Sequence, residues 1–240
     1  MLRRTSNVAA SDGVVYKPAS RTQPGVQRRT AFGPRFASDT SAYAVLVAGY
    51  AGSGKTEFSK MVARGLSWPI LDKDTTTRPL VDALSERLSG DRNDRQSRTY
   101  LQLIRPLEYK ALHDVVIENV RQGVSVVATA PYLQELSNPQ WVVKARNEFA
   151  ALDAKLHIVW VDCDQETMLA RIRYRGAERD EWKLDNWAEY SASIDAAKYR
   201  SVADTVVSND RDAFAPLQVL ADKFIAQLVV PSTSVATARL

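Results

Sequence analysis

Apolar positions along this chain switch repeatedly between a short strand-like run and a helical spacing. AYAVLVAG (42–49) is a compact apolar, β-branched run closed by glycine, which predicts a buried parallel strand. KTEFSKMVARGL (55–66) then places Phe58, Met61, Val62 and Leu66 on one helical face. SWPILD (67–72) predicts a second strand, RPLVDALSERL (78–88) a helix, and DRNDRQSR (91–98) a polar loop. The stretch 99–123 has helical spacing, with Pro106 as a kink or boundary and Gly123 as its stop. VSVVATA (124–130) predicts a third strand, 139–154 an amphipathic helix, and KLHIVWVDC (155–163) a fourth strand. Asp164 is suited to cap a helix over 164–176. ADTVVSND (203–210) and 212–228 predict a fifth strand and a closing helix. Parallel neighbours need crossovers, so this alternation predicts an α/β fold with helices on both faces of one sheet.

The ends of the chain break the pattern. Residues 1–40 mix Gly, Pro, Ser and Arg without a hydrophobic period and read as a disordered tail, as do residues 230–240, leaving a compact domain over 41–229. That first segment carries seven Lys or Arg against Asp12 and Asp39, whereas the rest of the chain is close to neutral. The formal net charge of +4 thus belongs to the tail, and a nucleic-acid surface spread over the fold is not indicated. The tail is left as the one place where nucleic acid could be touched. Cys163 is the only cysteine, which excludes an internal disulfide, and two distant histidines argue against zinc. No run approaches 18 apolar residues, so no membrane span is expected, and the tail lacks a secretory core. Its Arg- and Ser-rich composition resembles a transit peptide, but a tail on a cytoplasmic protein is the plainer reading.

One motif carries the chemistry. GYAGSGKT (49–56) fits G-x-x-x-x-G-K-[ST], with Gly49, Gly54, Lys55 and Thr56 at the defining positions. Such a loop turns backbone N–H groups, here including those of Ala51, Gly52 and Ser53, toward phosphate oxygens. Lys55 would reach the β- and γ-phosphates and the Thr56 hydroxyl would ligate Mg²⁺, with the positive end of the following helix behind them. The sequence lacks the NKxD base reader of a GTPase and the LSGGQ signature of a transporter ATPase. Asp162 ends a strand without the following Glu of a motor ATPase. The remaining class is a small kinase. ILDKD (70–74) sets Asp72 and Asp74 just past the second strand, where a carboxylate can orient or deprotonate an acceptor hydroxyl. RIRYR (171–175) sets Arg171 and Arg175 on one helix face as a basic lid.

On these residues the chain from about 43 to 228 resembles the small P-loop kinases of the nucleoside-monophosphate-kinase group. It is most similar to the AAA_33-like, zeta-toxin and chloramphenicol-phosphotransferase branch. The resemblance implies a three-layer α/β/α P-loop NTPase fold with a roughly five-stranded parallel sheet and a helical lid. It also implies an ATP- and Mg²⁺-dependent phosphotransferase. By motif, the base falls on Asp74 with Asp72 as the alternate, Arg171 lies against the adenine, and Arg175 reaches the phosphates. The third strand departs from many relatives, reading VVATAPY (126–132) where an Asp often helps to hold Mg²⁺, so metal ligation beyond Thr56 is left open between Asp162 and Asp72.

Between the second and third strands, Arg78, Arg92, Arg95, Arg98, Tyr100 and Arg105 could suit an anionic acceptor; the alternative is an exposed loop in which Arg92 and Arg95 pair with Asp91 and Asp94. Tyr132, Trp182 and Trp187 are stacking candidates that could equally be packing residues. The acceptor is expected to be a small hydroxyl compound, nucleoside or nucleotide. A polynucleotide or modified-base DNA kinase and a regulatory ATPase without an acceptor are the alternatives.

Overall fold

The computed structural model describes residues 41–229; the tails at 1–40 and 230–240 lie outside the described residues. Five parallel strands form one sheet: β1 (Ala42–Ala48), β2 (Ile70–Asp72), β3 (Val126–Thr129), β4 (Ala154–Asp162) and β5 (Thr205–Ser208). Their spatial order is β2-β3-β1-β4-β5. The chain leaves β1 toward one edge for β2 and β3 and later returns to the other side for β4, so the order reverses at β1. In an open α/β sheet the carboxyl side of such a reversal forms a crevice.

Side-chain alternation along β1 sends its residues to both faces of the sheet. Ala44, Leu46 and Ala48 join a core with Leu112, Val116, Phe149 and Trp160. Val45 and Val47 enter a second core with Phe58, Val62, Val159 and Phe224. A strand covered on both faces has no polar side to show, which is why it reads as an unbroken apolar run.

On the second face α1 (Lys55–Leu66) packs beside α10 (Leu217–Val229), and α1 has the bounds its apolar spacing predicts. The first face carries α3 (Arg105–Arg121) and α5 (Pro139–Ala151), with a single turn, α4 (Leu133–Leu136), between them. After α6 (Gln165–Arg175), three short helices follow: α7 (Glu181–Asp185), α8 (Trp187–Ala192) and α9 (Ala196–Arg200). Asp164 caps α6 by accepting from the Thr167 N–H at 2.7 Å.

Several elements differ from the pattern in the sequence. The second strand keeps only Ile70–Asp72, because Ser67 takes a left-handed conformation (φ 55°) and the Trp68 N–H bonds back to Ala63 O, closing α1. Helix α2 (Lys73–Ser89) starts five residues before its predicted start at Arg78. Asp72 is the cap, accepting from the Thr75 N–H at 3.0 Å, while the Thr76 and Thr77 hydroxyls bond to the carbonyls of Asp72 and Lys73. Pro79 lies inside α2. Pro106 occupies the opening of α3 behind a π-helical turn over Tyr100–Ile104, closed by the Arg105 N–H on Tyr100 O. Irregular helix of this kind accommodates a proline without leaving a carbonyl stranded.

Candidate functional site

The strand ends at the reversal hold the 49–56 loop, which runs from β1 into α1. Its glycines are required by space as well as by conformation. Gly52 and Gly54 have φ of 80° and 91°, and a Cβ on them would lie 2.7 Å from Met168 O and 2.2 Å from Asn209 Nδ2. Two side chains from distant parts of the chain hold the loop's outer carbonyls. Buried Asn209 donates Nδ2–H to Ser53 O at 2.8 Å, and Arg171 Nη1 lies 3.4 Å from both Gly52 O and Ser53 O. Within the loop the Ser53 N–H donates to Tyr50 O at 3.2 Å. Lys55 folds across the loop and donates to Tyr50 O at 3.3 Å. Burial lowers its ammonium to about 8 from the usual 10.5, with Asp74 pulling it up and Arg175 pushing it further down.

Beyond the loop opens a cavity of about 800 Å³ that contains Lys55, Thr56, Asp72, Asp74, Arg175 and Thr129 in its wall. A second hollow, of about 790 Å³ around Tyr43, Lys155 and His157, lies at the other end of β4 and includes none of these residues.

Asp74 is the second residue of α2, two residues past the strand end rather than in a loop. Its Oδ1 lies 2.9 Å from Lys73 Nζ, and its Oδ2 faces Arg179 at 3.5 Å and Arg78 at 3.7 Å. Burial pushes this carboxyl up, but the Lys73 ammonium, then Arg179 and Lys55, outweigh it and hold the group ionised far below the usual carboxylate range. Lys73 is buried, and its ammonium is also 2.6 Å from Glu108 Oε1. Glu108 in turn accepts from the Thr77 hydroxyl at 3.1 Å and from Tyr100 OH at 2.6 Å. Beside that carboxylate, and buried, the Tyr100 phenol is pushed well above its ordinary value.

The lid helices complete the wall. Asp180 is buried and bridges Arg175 to Lys183, whose Nζ lies 3.0 Å away. The Asp195 N–H donates to Tyr50 OH at 2.9 Å, and Gln165 Nε2 donates to Ser191 O, so α8 and α9 are tied to the loop and to α6. Arg175 therefore rests on Asp180 at the cavity rim. Arg171 rests on the loop carbonyls and on Cys163 Sγ.

Other candidates are brought together less closely, or not at all. Asp162 is taken by Trp160 Nε1 at 3.2 Å and by the Arg200 guanidinium, which removes it from the phosphate side. Arg95 pairs with Asp82 of α2 at 2.6 Å and Arg92 lies 3.8 Å from it, not with Asp91 or Asp94. Asp94 is occupied by Ser97, capping the next turn. Arg105 makes a two-pronged pair with Glu135, and Arg98 bonds to Gln102. Tyr132 is buried against Tyr109 and Trp141, and half-buried Trp187 packs against Tyr190, so both are packing residues. Trp182 alone of the three lines the cavity.

Lys73, Glu108, Asp180 and Asn209 escaped the sequence. Lys73 was visible only as the middle of DKD; the others carry no local signal, since their partners lie far away or in an irregular lid.

The residues present suit a phosphate chain and a hard cation. The Ser53 and Thr129 hydroxyls are buried at the loop and at the end of β3 with no protein partner among the described residues. The Thr56 hydroxyl, on the first turn of α1, lines the cavity as a hard oxygen donor.

The sheet order, the glycine loop and its lysine define a P-loop NTPase fold. Comparison with known sequences agrees: the family model described as an AAA domain, AAA_33, matches residues 45–197, and the chain belongs to that family. No curated protein matches the chain. Among solved structures, a sugar kinase from Janibacter sp. HTCC2649 is similar over 79% of this chain and 95% of its own, with 15% identity and a TM-score of 0.50. A gluconokinase from Sinorhizobium meliloti 1021 covers 78% and 94% at 15% identity with a TM-score of 0.48. The APS kinase of Mycobacterium tuberculosis covers 78% and 98% at 18% identity with a TM-score of 0.44. At such identities the likeness is one of fold. Among the described residues, no helix is long and apolar enough to cross a membrane.

Proposed function

We propose that this protein, through the compact unit at 41–229, is an ATP-dependent phosphotransferase that moves the γ-phosphoryl group to a hydroxyl of a small acceptor. The observation that carries this reading is that the P-loop lysine, Lys55, and an ionised carboxylate, Asp74, line one cavity. A P-loop alone needs only to hold nucleotide; a carboxylate facing it supplies what an acceptor hydroxyl requires.

In this reading the loop amides and Lys55 hold the β- and γ-phosphates, and the Thr56 hydroxyl would hold Mg²⁺. The cation, when bound, neutralises charge on the phosphate oxygens. Arg171 braces the outer side of the loop on the nucleotide's flank, and Arg175 swings from Asp180 to the transferring group. The acceptor oxygen attacks the γ-phosphorus, the bond to the β–γ bridging oxygen breaks, and the acceptor proton passes to Asp74 Oδ2. A carboxylate held so firmly ionised is a weak base. It therefore acts first by orienting the hydroxyl and takes the proton late, which suits a loose phosphoryl-transfer transition state. Asp72 spends one oxygen on capping α2 and is the poorer candidate.

The test is an acceptor screen with γ-labelled ATP and Mg²⁺, spanning nucleosides, nucleotides, hydroxylated small molecules and 5′-hydroxyl or modified-base DNA, with Lys55→Ala as control. Label on one acceptor class, with wild type only, supports a kinase and names its substrate. Label released only as phosphate, whatever is added, favours a regulatory ATPase instead.

A further inference from the structure

The Lys73–Glu108 pair is oddly placed for a structural element. Lys73 is the first residue of α2, where the positive end of the helix disfavours a cation. It is also 6% exposed, so its charge is removed from water. Glu108, on α3, is 3% exposed and supplies the countercharge. A buried pair of this kind is seldom needed for stability, because well-packed apolar residues of similar size generally serve as well. What the pair does achieve is geometric. It holds an ammonium 2.9 Å from Asp74 Oδ1, while Oδ2 stays turned toward Arg78 and Arg179 in the cavity.

Resting on the assignment of Asp74 as the acceptor-orienting group, we propose that Glu108 is a positioning residue for phosphoryl transfer. It fixes Lys73, which pins Oδ1 of Asp74, so that Oδ2, with Arg179 and Arg78 3.5 and 3.7 Å away, is the oxygen that meets the acceptor hydroxyl. Glu108 touches no substrate in this scheme. Its three bonds come from two elements: Lys73 and Thr77 of α2 and Tyr100 of the π-helical turn. Tyr100 also lines the cavity. A continuous chain thus runs from the acceptor wall through Tyr100, Glu108 and Lys73 to Asp74. A shift of the wall on acceptor binding would be felt at the carboxylate.

The experiment compares Glu108→Gln, the paired apolar replacement Lys73→Met with Glu108→Leu, Tyr100→Phe and Asp74→Asn. Turnover is read as transfer of label from γ-labelled ATP to water or to the acceptor the screen supplies. ATP affinity is read by calorimetry, and folding by thermal melting. Glu108→Gln is expected to lower kcat by about 10- to 100-fold while KM and Kd for ATP stay within about twofold. The apolar pair is expected to melt near wild type and still lose at least about tenfold in kcat, which a purely structural role would not produce. Tyr100→Phe keeps the ring and is expected to lose a few-fold in kcat alone, so the proposal stays testable should the double variant misfold. Wild-type kcat in the apolar pair, or in Glu108→Gln and Tyr100→Phe together, overturns the positioning role. Wild-type turnover in Asp74→Asn instead removes the base assignment on which it rests. If Asp74→Asn is disabled while the Glu108 variants are intact, only the role of Glu108 is lost.

Discussion

Lys55 provides a quantitative handle on the nucleotide site. Burial disfavours its charge and lowers its ammonium to about 8. A phosphate chain set against it stabilises the charged form, returning it toward the ordinary value of 10.5. Below pH 8 the lysine is protonated both free and bound, so affinity is flat. Above pH 8 the free protein loses the proton and must take it back to bind, so affinity falls. At pH 9 about one free molecule in eleven still carries the proton, whereas nearly all bound molecules do, which predicts about a tenfold loss relative to pH 7. That loss is about 1.4 kcal/mol of binding free energy. The assay is calorimetry of ADP without divalent metal between pH 7 and 9, repeated in buffers of differing ionisation enthalpy. Uptake of nearly one proton per ADP is expected at pH 9 and almost none at pH 7. Lys55→Met should bind more weakly and show no slope. An affinity that is level from pH 7 to 9, with no proton uptake, refutes the account of a buried, charge-depleted lysine facing phosphate.

Asp74→Asn should leave ATP affinity nearly unchanged and cut transfer by about 10²–10⁴, measured with γ-labelled ATP; Asp72→Asn causing that loss instead would reassign the acceptor-orienting group. Gly54→Ala forces a left-handed residue and a Cβ 2.2 Å from Asn209 Nδ2, so ADP binding should weaken by at least tenfold and melting should fall, by about 1–3 kcal/mol of strain. Phe58→Ala, at a fully buried ring packed on Phe224, should cost about 3–5 kcal/mol in denaturant unfolding without touching the cavity.

The parts of this protein governed by short-range chemistry were legible in the chain. The β1–loop–α1 unit reads correctly because each of its requirements is local: an apolar run buried on both faces, glycines where φ is positive, and an apolar stripe on α1. The Asp164 cap of α6 is of the same kind. Helix α2 begins five residues before the apolar spacing at 78–88 does, because the Asp72 cap and the buried Lys73 and Thr77 carry its first turn. The acid strength of Asp74 was beyond the sequence altogether. It depends on Lys73 beside it, on Arg179 of the lid, and on Glu108, 35 residues after Lys73, which holds the lysine in place. The sequence by itself determined that a phosphate-binding loop joins a buried strand to a helix. Only the tertiary structure decided which charges that loop faces, because electrostatic strength is set by separation and burial in space, and neither follows from distance along the chain.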